Sequence, residues 1–583
     1  MNFEQPIERL TRLENKVRAF EDVFIDTGSE EQKSAWAEIK TGLDDIIRER
    51  KAPFIMRQIK LPIILIATPE IVSLPQNMGN LANVITTGDG GGLADISAAL
   101  VKELDRRGLN VHVAIPEYRN LFEECAHITS RDYDLLKSEM DDSSSRIHLI
   151  QDGMFEGAKR VYNDVRDGLD KIDLRRANAF QRGIIHRLFP MLKKTHSKIL
   201  VHCNDWMTGI IPAAAKSQEI KSLMTFHNIF TQFQWLKGLQ KHGIHAESFW
   251  KHLYFRDHPD RFGDFHGNYE HNDVDFMTSG LYAADFINTV SPTFLKEIVE
   301  GYFLDHGIIP HRMRDVILAR NSENCAVGIL NAPEVTADPR ADSMLVQKYW
   351  WDPKESEGLV GITEGKKANK RFLQEALGLE QDPSIPVFLW PSRIAKPQKG
   401  FELLLDLIPY LMAQFKMQIA VIANGDLSLI PGIEHWQRTF PGKVAYKGFD
   451  RKLSQIAKAG ADFILMPSLY EPCGIPQVEA PRYGTFPIVR RTGGLADTVE
   501  QLSTNGLMGN GFVFQDFMPS GFWYAISKAM SFYNKQSEQF RLGVQKRIMK
   551  ESFARFNIQE TAKRYIDVYE QVFQRTNPGT KVV

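Results

Sequence analysis

Residues 61–68 read LPIILIAT, a short apolar run, partly β-branched. A run of this length and composition predicts a buried strand. It leads into a glycine-rich loop, TTGDGGGLAD at 86–95, and a helical segment ending near Arg107 and Gly108; VHVAIP at 111–116 is the next strand. Strand, loop, helix and strand in that order form the unit of a parallel α/β sheet. Further apolar runs, KILVHC at 198–203 and DFINTVS at 285–291, extend it. The pattern then restarts with VFLWPS (387–392), MQIAVIA (417–423), KVAYKGF (443–449) and DFILMPS (462–468), separated by helical stretches such as 400–415 and 453–458. The fold class expected is therefore α/β, with two doubly wound lobes facing a central cleft at the carboxyl ends of their strands.

Outside these lobes, Ile7, Leu10, Leu13, Val17 and Phe20 recur at helical spacing, and a second helical stretch is expected over 30–50. Residues 1–57 are thus expected to be a helical N-terminal extension, docked on the main body or on a second subunit. The polar stretch 332–380, with Pro333, Pro339 and Pro353, reads as the connection between lobes. The expected division is 1–57 extension, 58–331 first lobe, 332–380 connection, 381–555 second lobe and 556–583 C-terminal helix.

With 43% hydrophobic and 25% charged residues among 583, the chain has the composition of a globular enzyme with a large core. A formal net charge of -1 argues against a nucleic-acid partner, while leaving room for a local cation cluster that holds a small anion. The four cysteines, Cys125, Cys203, Cys325 and Cys473, form no CxxC pair, which fits a reducing compartment and suggests neither a zinc site nor a disulfide framework. His266 and His271 lie in a polar loop without a ligand set, so no metal site is expected. The N-terminus has no apolar h-region and no stretch reaches membrane-span length; the expected location is the cytoplasm.

The string Gly-Gly-Leu-Ala-Asp occurs twice, at 91–95 and 493–497. Each copy stands where a strand-side loop should become a helix. Glycines there allow close backbone approach, and helix starts offer N–H groups to anions. The richest stretch is 466–499, MPSLYEPCGIPQVEAPRYGTFPIVRRTGGLADTV. It places Glu471 just beyond a strand, within a dense set of turn residues. A lone loop carboxylate is ordinarily a solvated charge; this surrounding motif is what singles Glu471 out.

That stretch resembles the signature of bacterial glycogen synthases and plant starch synthases. Weaker similarity covers most of the chain beyond about residue 60: VHCNDW at 201–206, TFHN at 225–228, AADFINTVSPTF at 283–294, SRIAKPQKG at 392–400 and the run from Asn369 to Leu379. The resemblance implies two Rossmann-like lobes of GT-B type and a C-terminal helix crossing back to the first lobe. It implies transfer of glucose, with retention, from a nucleotide sugar (ADP-glucose favoured) to the non-reducing end of an α-1,4-glucan such as glycogen. The nucleotide sugar is a co-substrate, and no other cofactor is implied.

Residue roles follow by resemblance. Glu471, Arg393, Lys399 and His202 match the catalytic set, with Arg393 and Lys399 neutralising the donor diphosphate. Gly91, Gly92, Leu93, Asp95, Phe449, Thr492, Gly493, Gly494 and Leu495 match the donor-binding set; the N–H groups of 493–495 approach the donor and the Phe449 ring stacks on its base. Asn204, Asp205, His227, Cys473 and Gly474 match the sugar or acceptor side, with Trp206 beside them.

Three departures stand out. The family's Lys-x-Gly-Gly-Leu appears as Asp89-Gly90-Gly91-Gly92-Leu93, putting an acid where a cation should face a diphosphate. One additional residue, in a segment containing Pro397, separates Arg393 from Gln398-Lys399-Gly400. The family's Asn-Gly turn appears as Asn331-Ala332-Pro333-Glu334. The alternatives are a related retaining transferase with another donor or acceptor, or a glucan-binding homologue with weakened turnover. Oligomerisation through the N-terminal helices is compatible with the sequence.

Overall fold

A computed structural model describes residues 62–88, 92–138, 145–162, 170–256, 264–270, 272–304, 306–333, 336–352 and 359–575. The expected extension at 1–57 lies outside them, as do Asp89, Gly91 and Glu334.

The first lobe is a seven-stranded parallel sheet: β1 (Ile63–Ala67), β2 (Val111–Pro116), β3 (Ile147–Ile150), β4 (Ile199–Asn204), β5 (Lys221–Phe226), β6 (Phe286–Thr289) and β7 (Ala326–Gly328), in the order β3-β2-β1-β4-β5-β6-β7. The second lobe holds β8 (Val387–Trp390), β9 (Gln418–Ile422), β10 (Val444–Lys447), β11 (Phe463–Met466), β12 (Phe486–Arg490) and β13 (Phe512–Phe514), also parallel, in the order β10-β9-β8-β11-β12-β13. Every residue of β1, β2, β4, β8, β9, β11 and β12 is buried. That is why these strands read as continuous apolar runs: helices cover both faces of a parallel sheet.

Six helices matter for the site: α1 (Gly92–Arg106), α2 (Pro292–Val299), α3 (Ile362–Ala376), α4 (Arg451–Gly460), α5 (Gly493–Thr498) and α6 (Ile558–Gln574). Helix α1 buries Leu93, Ile96, Leu100, Val101 and Leu104, a single helical stripe. Helix α3, inside the expected connection, packs on α4 of the second lobe. There the ammonium of Lys366 is fully enclosed and donates to Ala459 O, Ala461 O, Tyr483 O and Thr485 Oγ1 at 2.7–3.1 Å. Four acceptors thus surround its three N–H donors, which offsets a burial that pushes the ammonium down to about 7.

Helix α6 starts at Asn557, whose side chain accepts the Glu560 N–H. It returns to the first lobe, touching α1 and β5. Tyr565, Val568, Tyr569 and Val572 join that lobe's core. Each contributes about 1.5–3 kcal/mol relative to exposure, so the last helix is an integral part of the first lobe.

Candidate active site

Each sheet reverses its strand order once, between β1 and β4 in the first lobe and between β8 and β11 in the second. Side chains beyond the carboxyl ends of those strands line a crevice.

In the first lobe the reversal is spanned by Asn204, whose Nδ2 donates to Ala67 O at 3.3 Å. That bond orients the amide, leaving Asn204 Oδ1 to accept from His227 Nε2 at 3.2 Å. His227 therefore carries its proton on Nε2, and burial pushes its imidazole down to about 4, so the ring is neutral at pH 7. Asp205 has φ 57 and ψ -179, an extended positive-φ conformation otherwise nearly confined to glycine. Its carboxylate accepts His227 N–H at 2.8 Å and Asn228 Nδ2 at 3.3 Å. Burial pushes Asp205 up to about 7, with hydrogen bonds from the His227 and Asn228 backbone opposing the shift. Asp205 thus anchors the 227–228 backbone.

In the second lobe the reversal is spanned by an ion pair. Lys399 Nζ lies 2.6 Å from Glu471 Oε2, with side-chain exposures of only 13% and 6%. Ser468 Oγ donates to the same oxygen at 3.1 Å. Removing one partner of so sheltered a pair typically costs about 3–5 kcal/mol. Arg393 is exposed beside it, its Nη2 donating to Gln398 Oε1 at 3.3 Å.

The loop carrying Glu471 is fixed from several sides. Arg490 on β12, 2% exposed, donates to Leu469 O at 2.7 Å and Ser468 O at 3.3 Å. Gln477 Nε2 donates to Cys473 O and Gly474 O, both at 3.0 Å. Gly474 has φ +71, and a Cβ there would meet the Gln477 amide. The packing against α5 admits only glycine: a Cβ on Gly493 would stand 1.9 Å from Glu471 O, and one on Gly494 would stand 1.9 Å from Cys473 O. Cys473 is buried, and desolvation pushes its thiol up to about 12. It is a packing residue at pH 7, not a thiolate nucleophile.

A cavity of about 1070 Å³ lies between the lobes. First-lobe Thr86, Thr87 and Tyr162 face second-lobe Trp390, Phe449 and Arg451 across it. Asp95 and Phe449 line it, and the Phe449 ring is 56% exposed. The lining cations are Lys159, Arg160, Arg451 and Lys458; the acids are Glu70, Asp95 and Glu124. Glu471, Lys399, Arg393 and His227 are not in its lining.

Several expectations are corrected. His202 is a core histidine. It is 1% exposed, its Nδ1 is 2.9 Å from Tyr569 Oη and its Nε2 is 2.6 Å from Thr225 Oγ1. Burial pushes it down to about 3, and with both nitrogens engaged it has none to offer a substrate. The N–H groups at the second Gly-Gly-Leu are engaged too: Gly493 donates to Glu297 Oε2 at 2.9 Å, Gly494 to Glu471 O at 3.0 Å and Leu495 to Thr492 O at 3.0 Å. The Thr492 hydroxyl also turns to Glu297, at 3.1 Å. Leu495 is fully buried in the second lobe's core. These residues seat the Glu471 loop instead of presenting free donors. In the first copy Leu93 is buried at 7% exposure, while among the described residues nothing lies within 4 Å of the Gly92 Cβ position.

Glu297 and Tyr302 escaped sequence reading, and Arg490 and Asp497, inside the stretch 466–499, were given no role of their own. Glu297 stands three residues beyond the matched TVSPTF run. Only the Ser-Pro helix start next to it hinted that this segment mattered.

The family model described as "Starch synthase catalytic domain" matches residues 64–309, and one described as "Glycosyl transferases group 1" matches 385–531. The chain is 32% identical over 463 residues to the glycogen synthase of Exiguobacterium sibiricum, covering 76% of this chain and 89% of that one. It is 30% identical over 507 residues to that of Geobacillus thermodenitrificans, covering 83% and 95%. Its fold matches the catalytic domain of starch synthase IV from Arabidopsis thaliana, bound to ADP and acarbose, with a TM-score of 0.65, 22% identity and coverage of 88% and 100%. Among the described residues no helix is long and apolar enough to cross a membrane. Two parallel sheets of GT-B type, a carboxylate–lysine pair at the second switch point and these likenesses lead to one conclusion: the chain belongs to the glycogen synthase family and is a glucosyltransferase of the glycogen and starch synthase type.

Proposed function

We propose that the chain transfers glucose from ADP-glucose to the non-reducing end of an α-1,4-glucan, with retention and without a further cofactor. The observation that carries this is the Lys399–Glu471 pair at 2.6 Å, set where the second sheet reverses. Lys399 and the exposed Arg393 supply positive charge for a departing diphosphate, whose negative charge grows as the glycosidic bond breaks. A diphosphate draws Lys399 from Glu471, and the carboxylate then faces the positive charge developing on the sugar ring. The acceptor hydroxyl attacks on the face the diphosphate leaves, and a departing phosphate oxygen takes its proton. The exposed Phe449 ring on the inter-lobe cavity offers a platform for the nucleobase. The starch synthase IV structure, with ADP and acarbose bound, supports the adenine donor and the glucan acceptor.

The test is glucose incorporation into glycogen from ADP-glucose and UDP-glucose separately. ADP-glucose is the expected donor, and Glu471→Ala is expected to lower kcat by about 10²–10³-fold. Preference for UDP-glucose would overturn the donor assignment. Glycogen binding without transfer from either donor would overturn the enzymatic reading.

A further inference from the structure

The two lobes meet through a pair of helix starts that cap each other. Ser291 and Pro292 begin α2 in the first lobe; Thr492 and Gly493 begin α5 in the second. Asp497, on α5, accepts from Ser291 Oγ and Thr293 Oγ1, both at 2.5 Å, and from Thr293 N at 3.2 Å. Glu297, on α2, accepts from Thr492 Oγ1 at 3.1 Å and Gly493 N at 2.9 Å. Each helix thus supplies the acid that satisfies the other's unpaired N-terminal donors.

The second of these caps bears directly on Glu471. Gly493 and Gly494 pack with no room for a side chain against the carbonyls of Glu471 and Cys473, and Gly494 N–H donates to Glu471 O at 3.0 Å. The same first-lobe segment grips that loop at two more points. The Tyr302 hydroxyl accepts from the Arg490 guanidinium, which also holds the Ser468 and Leu469 carbonyls. The Phe303 ring lies edge-to-face with Tyr470, centroids 6.1 Å apart.

We propose that Glu297 is a positioning residue for glucosyl transfer: from the first lobe it fixes α5, and through α5 the Glu471 backbone, relative to the substrate crevice. The proposal rests on the role assigned to Glu471. It ties lobe closure to catalytic geometry, because α2 moves with the first lobe and the Glu471 loop with the second. A misplacement of about 1 Å at a reacting centre lowers turnover by about 100-fold. Glu297 touches no substrate in this scheme, so its loss should appear in kcat and not in KM.

The experiment is steady-state kinetics of the full chain with ADP-glucose and glycogen, for wild type, Glu297→Ala, Glu297→Gln and Glu471→Ala. Glu297→Ala is expected to lower kcat by about 10–100-fold while both KM values stay near wild type. Glu297→Gln keeps an acceptor oxygen for Thr492 and Gly493, and should restore kcat to within about fivefold of wild type, because burial pushes the Glu297 carboxyl up to about 7 and so narrows the difference between it and a neutral acceptor. Wild-type kcat in a folded Glu297→Ala overturns the proposal, as does a raised KM with kcat unchanged, or a Gln variant no better than Ala. If the Ala variant does not fold, Glu297→Asp keeps the charge but is one methylene too short to reach Gly493; wild-type kcat in that variant also overturns it. Undiminished activity in Glu471→Ala would overturn the assignment of Glu471 itself, a distinct outcome.

Discussion

The two lobes carry the same five residues, Gly-Gly-Leu-Ala-Asp, at the start of a helix, and use them differently. In the first lobe Gly92 is exposed, with open space among the described residues where a Cβ would go, and it begins a 15-residue helix that places Asp95 on the cavity. In the second, both glycines are buried against carbonyls 1.9 Å from their Cβ positions, the helix is six residues long, and its aspartate crosses the interface to cap α2. One string opens onto a cavity; the other clamps the Glu471 loop. Local sequence sets the helix start in both, and the tertiary neighbours decide what that start does.

The lobes also differ in their titrating groups, and here the largest effect is expected. Burial pushes His112, His148, His202 and His227 of the first lobe down to between about 3 and 4, from 6.5. The second lobe's lone histidine, His435, is exposed. A depressed histidine pKa means the unfolded chain binds more protons, so the associated stability is present above pH 6.5 and is lost as pH falls toward 4. Each such histidine contributes up to roughly 1.4 kcal/mol per pH unit in that window, while Asp205 and Glu297, both pushed up to about 7 by burial, oppose part of the loss. Hydrogen exchange on acidification should show β1 and β4 losing protection before β8 and β11. Simultaneous loss in both lobes would erase this distinction.

A single methyl group tests the glycines. Gly494→Ala must push the Cys473 carbonyl away, at a cost of about 1–3 kcal/mol, with glucose transfer reduced by about 100-fold as the Glu471 loop shifts. Activity and denaturation midpoint both report it. The smallest effect is expected at the other copy. Gly92→Ala enters open space and should stabilise the chain by about 0.4–1 kcal/mol, chiefly by restricting the unfolded state. Equal behaviour of the two alanine variants would show that the copies are interchangeable.

These differences mark where sequence reading stops. LPIILIAT and DFILMPS were legible as strands because parallel strands buried on both faces leave an uninterrupted apolar run. Glu471 and Lys399 were singled out through their motifs, although nothing in the spacing of residues 399 and 471 says that they touch. His202 misled for the opposite reason. Its motif pointed to the crevice, but the hydroxyl that occupies its Nδ1 arrives from Tyr569, 367 residues away. The N–H groups at 493–495 were misjudged because Glu297, which engages the first of them, sits on a helix of the other lobe and reads locally as an ordinary surface acid. Long-range partners of this kind leave no periodic trace.

The return of α6 to the first lobe has a consequence for biosynthesis. Tyr565, Val568, Tyr569 and Val572 close a core whose first strand begins at Ile63. A ribosome must therefore have made the chain through Val572 before that lobe can be completed, by which point every strand of the second lobe, 387–514, has been made. The first lobe, whose strands are made before those of the second, thus stays unsealed until α6 has been made.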